Sequence, residues 1–148
     1  MKKKSVYGIV ILVTLLSLAA CVDNKPVYNN QKSSTGIQEG KINLTAKEAN
    51  SLIQANLLNP EFIIVDIRTP KEYVDGHIAK AINIDFYDKD FIRNLQNLDK
   101  EKTYFFYCRS GNRTGQATSI FKTLNLNRYY ILTSGINDWY SNNFTVVR

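Results

Sequence analysis

The chain has little of what usually staples a small protein or anchors it in a bilayer. It holds two cysteines, Cys21 and Cys108, and a single histidine, so no multi-bridge disulfide framework can be built. Its one long apolar run, residues 9–20, is twelve residues long, short of the roughly 18–20 needed to span a membrane. It also lacks a concentrated basic surface. The net charge is +6, but Lys2, Lys3 and Lys4 supply half of it. The remaining, dispersed excess is too weak to argue for nucleic acid. No internal repeat is visible. What is present, 44% hydrophobic and 22% charged residues over 148 positions, fits one ordinary globular domain.

The N-terminus reads as an address, not a fold. Residues 1–8 are a basic n-region, the run at 9–20 has the length of a signal-peptide core, and Leu18-Ala19-Ala20-Cys21 closes it. That ending resembles the lipobox of bacterial lipoproteins. The resemblance implies cleavage after residue 20, a lipidated (diacylglyceryl, palmitate-type) Cys21, and attachment to a membrane of the cell envelope. Residues 22–40 are polar, with Asn24, Asn29, Asn30, Gln31, Ser33 and Ser34. Such a segment cannot offset its own ordering entropy and is expected to be a flexible tether. The organisation expected is therefore a leader at 1–20, a lipidated cysteine and tether at 21–40, and one folded domain at 41–148.

Within 41–148, strand-like and helix-like patterns alternate. Thr45 and Glu48 have capping-box spacing ahead of Ala49, Leu52, Ile53 and Leu57. Phe62-Ile63-Ile64-Val65 has the continuous apolar character of a buried parallel strand. Thr69-Pro70-Lys71-Glu72 opens a second helix, with proline where a missing N–H does no harm. Residues 81–84 read as a short strand, and Asp88 as the cap of a helix carrying Phe91, Ile92 and Leu95. Thr103-Tyr104-Phe105-Phe106-Tyr107 is the strongest strand signal. A polar loop, a helix over about 113–124, a strand at 128–132 and a final helical turn at 136–140 complete the chain. This rhythm predicts an α/β fold, a small parallel sheet with helices on both faces. Ligands of such sheets bind at the carboxyl ends of strands beside helix N-termini, and Cys108 ends the strongest strand.

The residues after that strand, Cys108-Arg109-Ser110-Gly111-Asn112-Arg113-Thr114, have nothing to pack. Gly111 and Asn112 tolerate left-handed backbone angles. A loop wound this way between strand and helix can turn successive N–H groups inward at the positive end of the helix. That field favours a thiolate, and equally a persulfide, whose terminal sulfur is an anion.

The same loop resembles the active-site loop of rhodanese-family sulfurtransferases. Val65-Asp66-Ile67-Arg68-Thr69-Pro70-Lys71-Glu72-Tyr73 with Gly76-His77-Ile78 and Ala81-Ile82-Asn83-Ile84 resembles that family's upstream signature, and Ser134-Gly135-Ile136 with Trp139 its C-terminal one. The resemblance implies that Cys108 is the sulfur-accepting nucleophile. It implies that Arg109, Ser110, Gly111, Asn112, Arg113 and Thr114 form the substrate cradle, with Arg113 and Arg109 drawing in an oxyanion. Asp66 and Arg68 are expected to form an internal pair supporting the loop. The reaction implied takes sulfane sulfur from thiosulfate or a persulfide and passes it to a thiol or cyanide, with a thioredoxin-like protein among the candidate acceptors. It needs no metal and no organic cofactor, and a monomeric domain suffices.

His77 tempts assignment as a base, but a thiolate already ionised by the loop needs none, and the position is expected to be structural. Glu72, Tyr73 and Trp139 are expected to be a cap residue and core aromatics. Lys80 stands where the family often has glycine, and Thr133-Ser134 replaces the commoner approach to Gly135; both bear on turn geometry. Two rival functions follow from the same loop. Phosphatases and arsenate reductases of related fold use a larger Cys-x5-Arg ring, whereas the spacing here is Cys-x4-Arg, a ring that suits a single sulfur. A non-turnover persulfide carrier, redox sensor or protein-binding module of the envelope is the second.

Overall fold

The computed structural model describes residues 40–148. The expected leader, Cys21 and the tether up to residue 39 lie outside the described residues. From residue 40 onward the elements run β1 (Gly40–Leu44), α1 (Ala46–Ala55), β2 (Phe62–Asp66), α2 (Pro70–Asp75), β3 (Ile82–Asn83), α3 (Phe91–Gln96), β4 (Thr103–Tyr107), α4 (Asn112–Thr123), β5 (Arg128–Leu132) and α5 (Gly135–Ser141). All five strands are parallel, in the order β1-β5-β4-β2-β3.

The aromatic run of β4 sits in the middle of this sheet and faces both ways, because successive strand side chains alternate. Tyr104, Phe106 and Cys108 join a core with Phe91 and Leu95 of α3 and Ala117 and Phe121 of α4. Phe105 and Tyr107 join the opposite core, with Ala46, Ala49 and Ile53 of α1 and Ile136 and Trp139 of α5. Phe106 stacks on Phe121 at a centroid distance of 4.2 Å, and Tyr129 meets Phe121 edge-on at 5.2 Å. The fully buried Phe106 and Phe121 each contribute roughly 1.5–3 kcal/mol by leaving water. Burial on both faces is what makes β4 a continuous apolar run, and it fixes the height at which Cys108 leaves the sheet.

Helix starts follow the local chemistry. Thr45 and Glu48 form the expected capping box at α1, and Thr69 and Glu72 form a second at α2, with Pro70 as its first helical residue. Asp88 does not cap α3. Its carboxylate instead accepts the N–H of Asp90 at 2.8 Å, a turn two residues long, and the helix begins after Asp90, which pairs with Arg93 at 2.7 Å. The strand expected at 81–84 narrows to β3, which pairs only with the last two residues of β2. β1 has no counterpart in the sequence reading. It lies at the sheet edge, with Asn43 exposed between half-buried Ile42 and Leu44, so its apolar signal is too thin to stand out. Lys80, which the resemblance sets where glycine is expected, adopts a left-handed backbone with φ +66.

Candidate active site

Cys108 is the first residue past β4, and its thiol is free, with the residue 1% exposed. The chain then turns back so that the N–H of Gly111 donates to Cys108 Sγ at 3.1 Å. Thr114, fully buried in the first turn of α4, places its hydroxyl 3.8 Å from the same sulfur while donating to the Gly111 carbonyl at 2.9 Å. Sulfur thus sits at the N-terminal end of a twelve-residue helix, with a backbone donor aimed at it. This arrangement stabilises negative charge on sulfur through the helix dipole and a directed hydrogen bond.

The loop keeps that shape because its outward carbonyls have partners. Ile136 N–H donates to the Cys108 carbonyl at 2.8 Å and Asn137 N–H to the Arg109 carbonyl at 3.1 Å. The start of α5 therefore anchors the backbone of the cysteine loop, and Gly135 permits the contact. A Cβ there would lie 2.4 Å from the Arg109 carbonyl carbon. Gly111 has φ +88, a left-handed angle that costs an L side chain about 1–2 kcal/mol.

Below the loop, Asp66 and Arg68 form the expected pair. Arg68 Nη2 meets Asp66 Oδ2 at 2.7 Å, both side chains are almost fully buried, and the same nitrogen donates to the Gly76 carbonyl at 2.7 Å. Asn83 Nδ2 donates to the carbonyls of Asp66 and Arg68, at 2.9 and 2.8 Å. Ile67, between the pair, donates its N–H to the Tyr107 carbonyl at 2.9 Å, directly ahead of Cys108. The Tyr107 hydroxyl accepts the Ile78 N–H at 3.1 Å, and burial with the Asp66 carboxylate close by pushes that phenol well above its ordinary range.

Arg113 occupies a partner that the sequence reading did not assign to it. Its Nη1 and Nη2 donate to both oxygens of Glu72, at 2.7 and 2.9 Å, and its guanidinium lies 5.2 Å over the Tyr87 ring. Glu72 also accepts from the N–H and hydroxyl of Thr69. The Arg113 guanidinium holds the Glu72 carboxyl down at about 2. The signal was in the sequence only as a capping glutamate; the 41-residue separation hid its second role. Arg109 is exposed and lines a cleft of about 320 Å³ with Arg68, Glu72, Asp75 and Tyr140. Ser110 and Asn112 are exposed in the loop.

His77 is structural in its contacts. Its Nδ1 lies 3.0 Å from the Tyr73 carbonyl, its ring stacks on Tyr73 at 3.7 Å, and its backbone bridges to Val147. Trp139 is buried, its indole donating to the Thr145 carbonyl at 3.0 Å. Among the described residues no group of His, Cys, Asp and Glu is arranged to hold a metal ion. Among them, too, no helix is long and apolar enough to cross a membrane.

Comparison with known proteins points one way. The rhodanese-like domain matches residues 45–142. A thiosulfate:glutathione sulfurtransferase of Saccharomyces cerevisiae is 29% identical over 94 residues, covering 56% of this chain and 68% of the yeast protein. An uncharacterized protein of Buchnera aphidicola is 32% identical over 88 residues, 57% of this chain, and the match spans only 60% of that relative's length. Among solved structures, a rhodanese-related protein of Thermoplasma volcanium superposes with a TM-score of 0.58 at 28% identity, covering 73% of this chain and 97% of that one.

Proposed function

Because the chain belongs to the rhodanese-like domain family, we propose that it is a sulfurtransferase whose Cys108 carries sulfane sulfur as a persulfide. Membership and relatives named as sulfurtransferases support a role of that type. The observation that carries the finer reading is the Gly111 N–H directed at Cys108 Sγ, 3.1 Å away, at the start of α4.

In the first half-reaction the Cys108 thiolate attacks the outer sulfur of a donor. The donor's S–S bond breaks, a new one forms to Cys108, and the electron pair leaves on sulfite (from thiosulfate) or on a thiolate (from a persulfide). The terminal sulfur of Cys108–S–S⁻ inherits the charge and the donors of Gly111 and Thr114. In the second half, an acceptor thiolate or cyanide attacks that terminal sulfur and Cys108 leaves as the thiolate. Arg109, Ser110, Asn112 and Arg113 wall the approach, and Asp66 and Arg68 hold the strand end beneath it. We place the domain at the cell envelope, tethered through a lipidated Cys21, on the strength of the lipobox-like sequence.

The near-complete burial of Cys108 favours a second reading, a persulfide carrier or redox sensor that exchanges sulfur only with a protein partner. A turnover assay separates the two. With a sulfane-sulfur donor, cysteine persulfide or thiosulfate, and a small thiol in excess, the sulfurtransferase releases many equivalents of the donor's leaving group per chain, and Cys108→Ser releases none. A carrier stops after one equivalent.

A further inference from the structure

The charges that pair beside the loop or line its cleft balance. Three guanidiniums, of Arg68, Arg109 and Arg113, stand with three carboxylates, of Asp66, Glu72 and Asp75. Two of the guanidiniums are already engaged. Arg68 is buried against Asp66, and Arg113 gives both terminal nitrogens to Glu72 and its face to Tyr87. The Arg113 side chain is 13% exposed. Its fork, the shape that recognises sulfonates and phosphates bidentately, is spent on an internal carboxylate. Arg109 has no ion-pair partner among the described residues, but it shares its cleft with the carboxylates of Glu72 and Asp75.

With Arg68–Asp66 and Arg113–Glu72 paired off, a dianion entering this site meets one exposed cation, Arg109, one carboxylate, Asp75, and the partial charges of the loop. That suffices for one unit of charge on sulfur. A second unit, on a sulfonate, would need Arg113 to leave Glu72, stranding a carboxylate that Thr69 holds in place.

We propose that Glu72 is a specificity-determining residue that withdraws Arg113 from anion binding, so that the donor is an organic persulfide of low charge and not a dianion such as thiosulfate. This inference rests on the sulfurtransferase reading above. The favoured loading step is balanced as Cys108–S⁻ plus R–S–SH giving Cys108–S–S⁻ plus R–SH: the thiolate takes the outer sulfur, the donor's S–S bond breaks, and the proton ends on the departing thiol.

The experiment follows sulfur loading of the purified full chain by intact mass, from cysteine persulfide and from thiosulfate, as salt is raised. Wild type loads from cysteine persulfide in preference, and its thiosulfate rate is nearly independent of salt, because the site has no net attraction to screen. Glu72→Gln keeps a residue that can complete the α2 cap and frees Arg113. Thiosulfate loading then rises about tenfold, equivalent to one charge-assisted hydrogen-bonded contact, and becomes salt-sensitive, while the persulfide rate changes less than about twofold on the same scale. Adding Arg113→Gln to that variant returns thiosulfate to the wild-type rate. A wild-type thiosulfate rate that falls steeply with salt overturns the proposal without any variant, as does Glu72→Gln slowing both donors alike. If neither donor loads sulfur, the sulfurtransferase reading fails and this inference with it.

Discussion

Gly111 and Thr133 approach so closely that a Cβ on Gly111 would lie 1.8 Å from the Thr133 carbonyl oxygen. The loop after β4 and the turn after β5 are thus packed backbone on backbone. A methyl group at Gly111 must move one of them, and its φ of +88 adds strain. Gly111→Ala is expected to lower stability by about 3 kcal/mol in urea unfolding and to slow sulfur loading by shifting the N–H from Cys108 Sγ. A variant with wild-type stability would show that the two turns are not held together.

The Asp66–Arg68 pair makes an asymmetric prediction. Asp66→Ala leaves the Arg68 guanidinium buried without its counter-charge and is expected to cost about 3–5 kcal/mol. Replacing both residues with apolar ones of similar volume removes the stranded charge and should recover much of that loss. Denaturant midpoints of the single and double variants check it; equal losses would mean the pair contributes only packing.

Glu72 predicts the acid limb of the stability profile. Its carboxyl ionises at about 2 when folded, below the ordinary 4.5, mainly through the Arg113 hydrogen bonds. A depressed value means that the folded state gains from ionisation. The gain is complete above pH 4.5 and disappears as pH falls toward 2. Because solvent reaches and screens the pair, about 1 kcal/mol is expected, not the several that full burial would imply. Melting temperature followed across that window should fall more steeply for wild type than for Glu72→Gln. Parallel curves would contradict the assignment.

Thr114→Val removes the hydroxyl that donates to the Gly111 carbonyl and stands 3.8 Å from Cys108 Sγ. The Gly111 carbonyl keeps the N–H of Gly115 as a partner, so only about 1 kcal/mol of stability is at stake. Sulfur loading should slow by roughly tenfold, less than the loss of a close oxyanion donor causes. Thr114→Ser should restore most of it. Loading unchanged in the valine variant would remove Thr114 from the site.

The parts of the fold written in short-range chemistry were legible before the structure. The capping boxes at Thr45 and Thr69 and the aromatic run of β4 depend on residues within a few positions of one another, and so does the polar loop after Cys108. Asp66 and Arg68, two apart, were readable as a pair for the same reason. What escaped was long-range or faint. Glu72 meets Arg113 across 41 positions, and Gly135 meets the backbone of Arg109 across the turn after β5. β1 carries only two half-buried apolar side chains, at Ile42 and Leu44. Asp88 looked like a cap because aspartate serves both a helix start and a two-residue turn, and local sequence does not choose between them.

The most direct test of the account is the intact mass of the chain after brief exposure to a sulfane-sulfur donor, beside Cys108→Ser. A sulfur-carrying Cys108 gains one sulfur, absent from the serine variant and removed by a thiol. A reduced, accessible Cys108 that gains no sulfur from either cysteine persulfide or thiosulfate would contradict it.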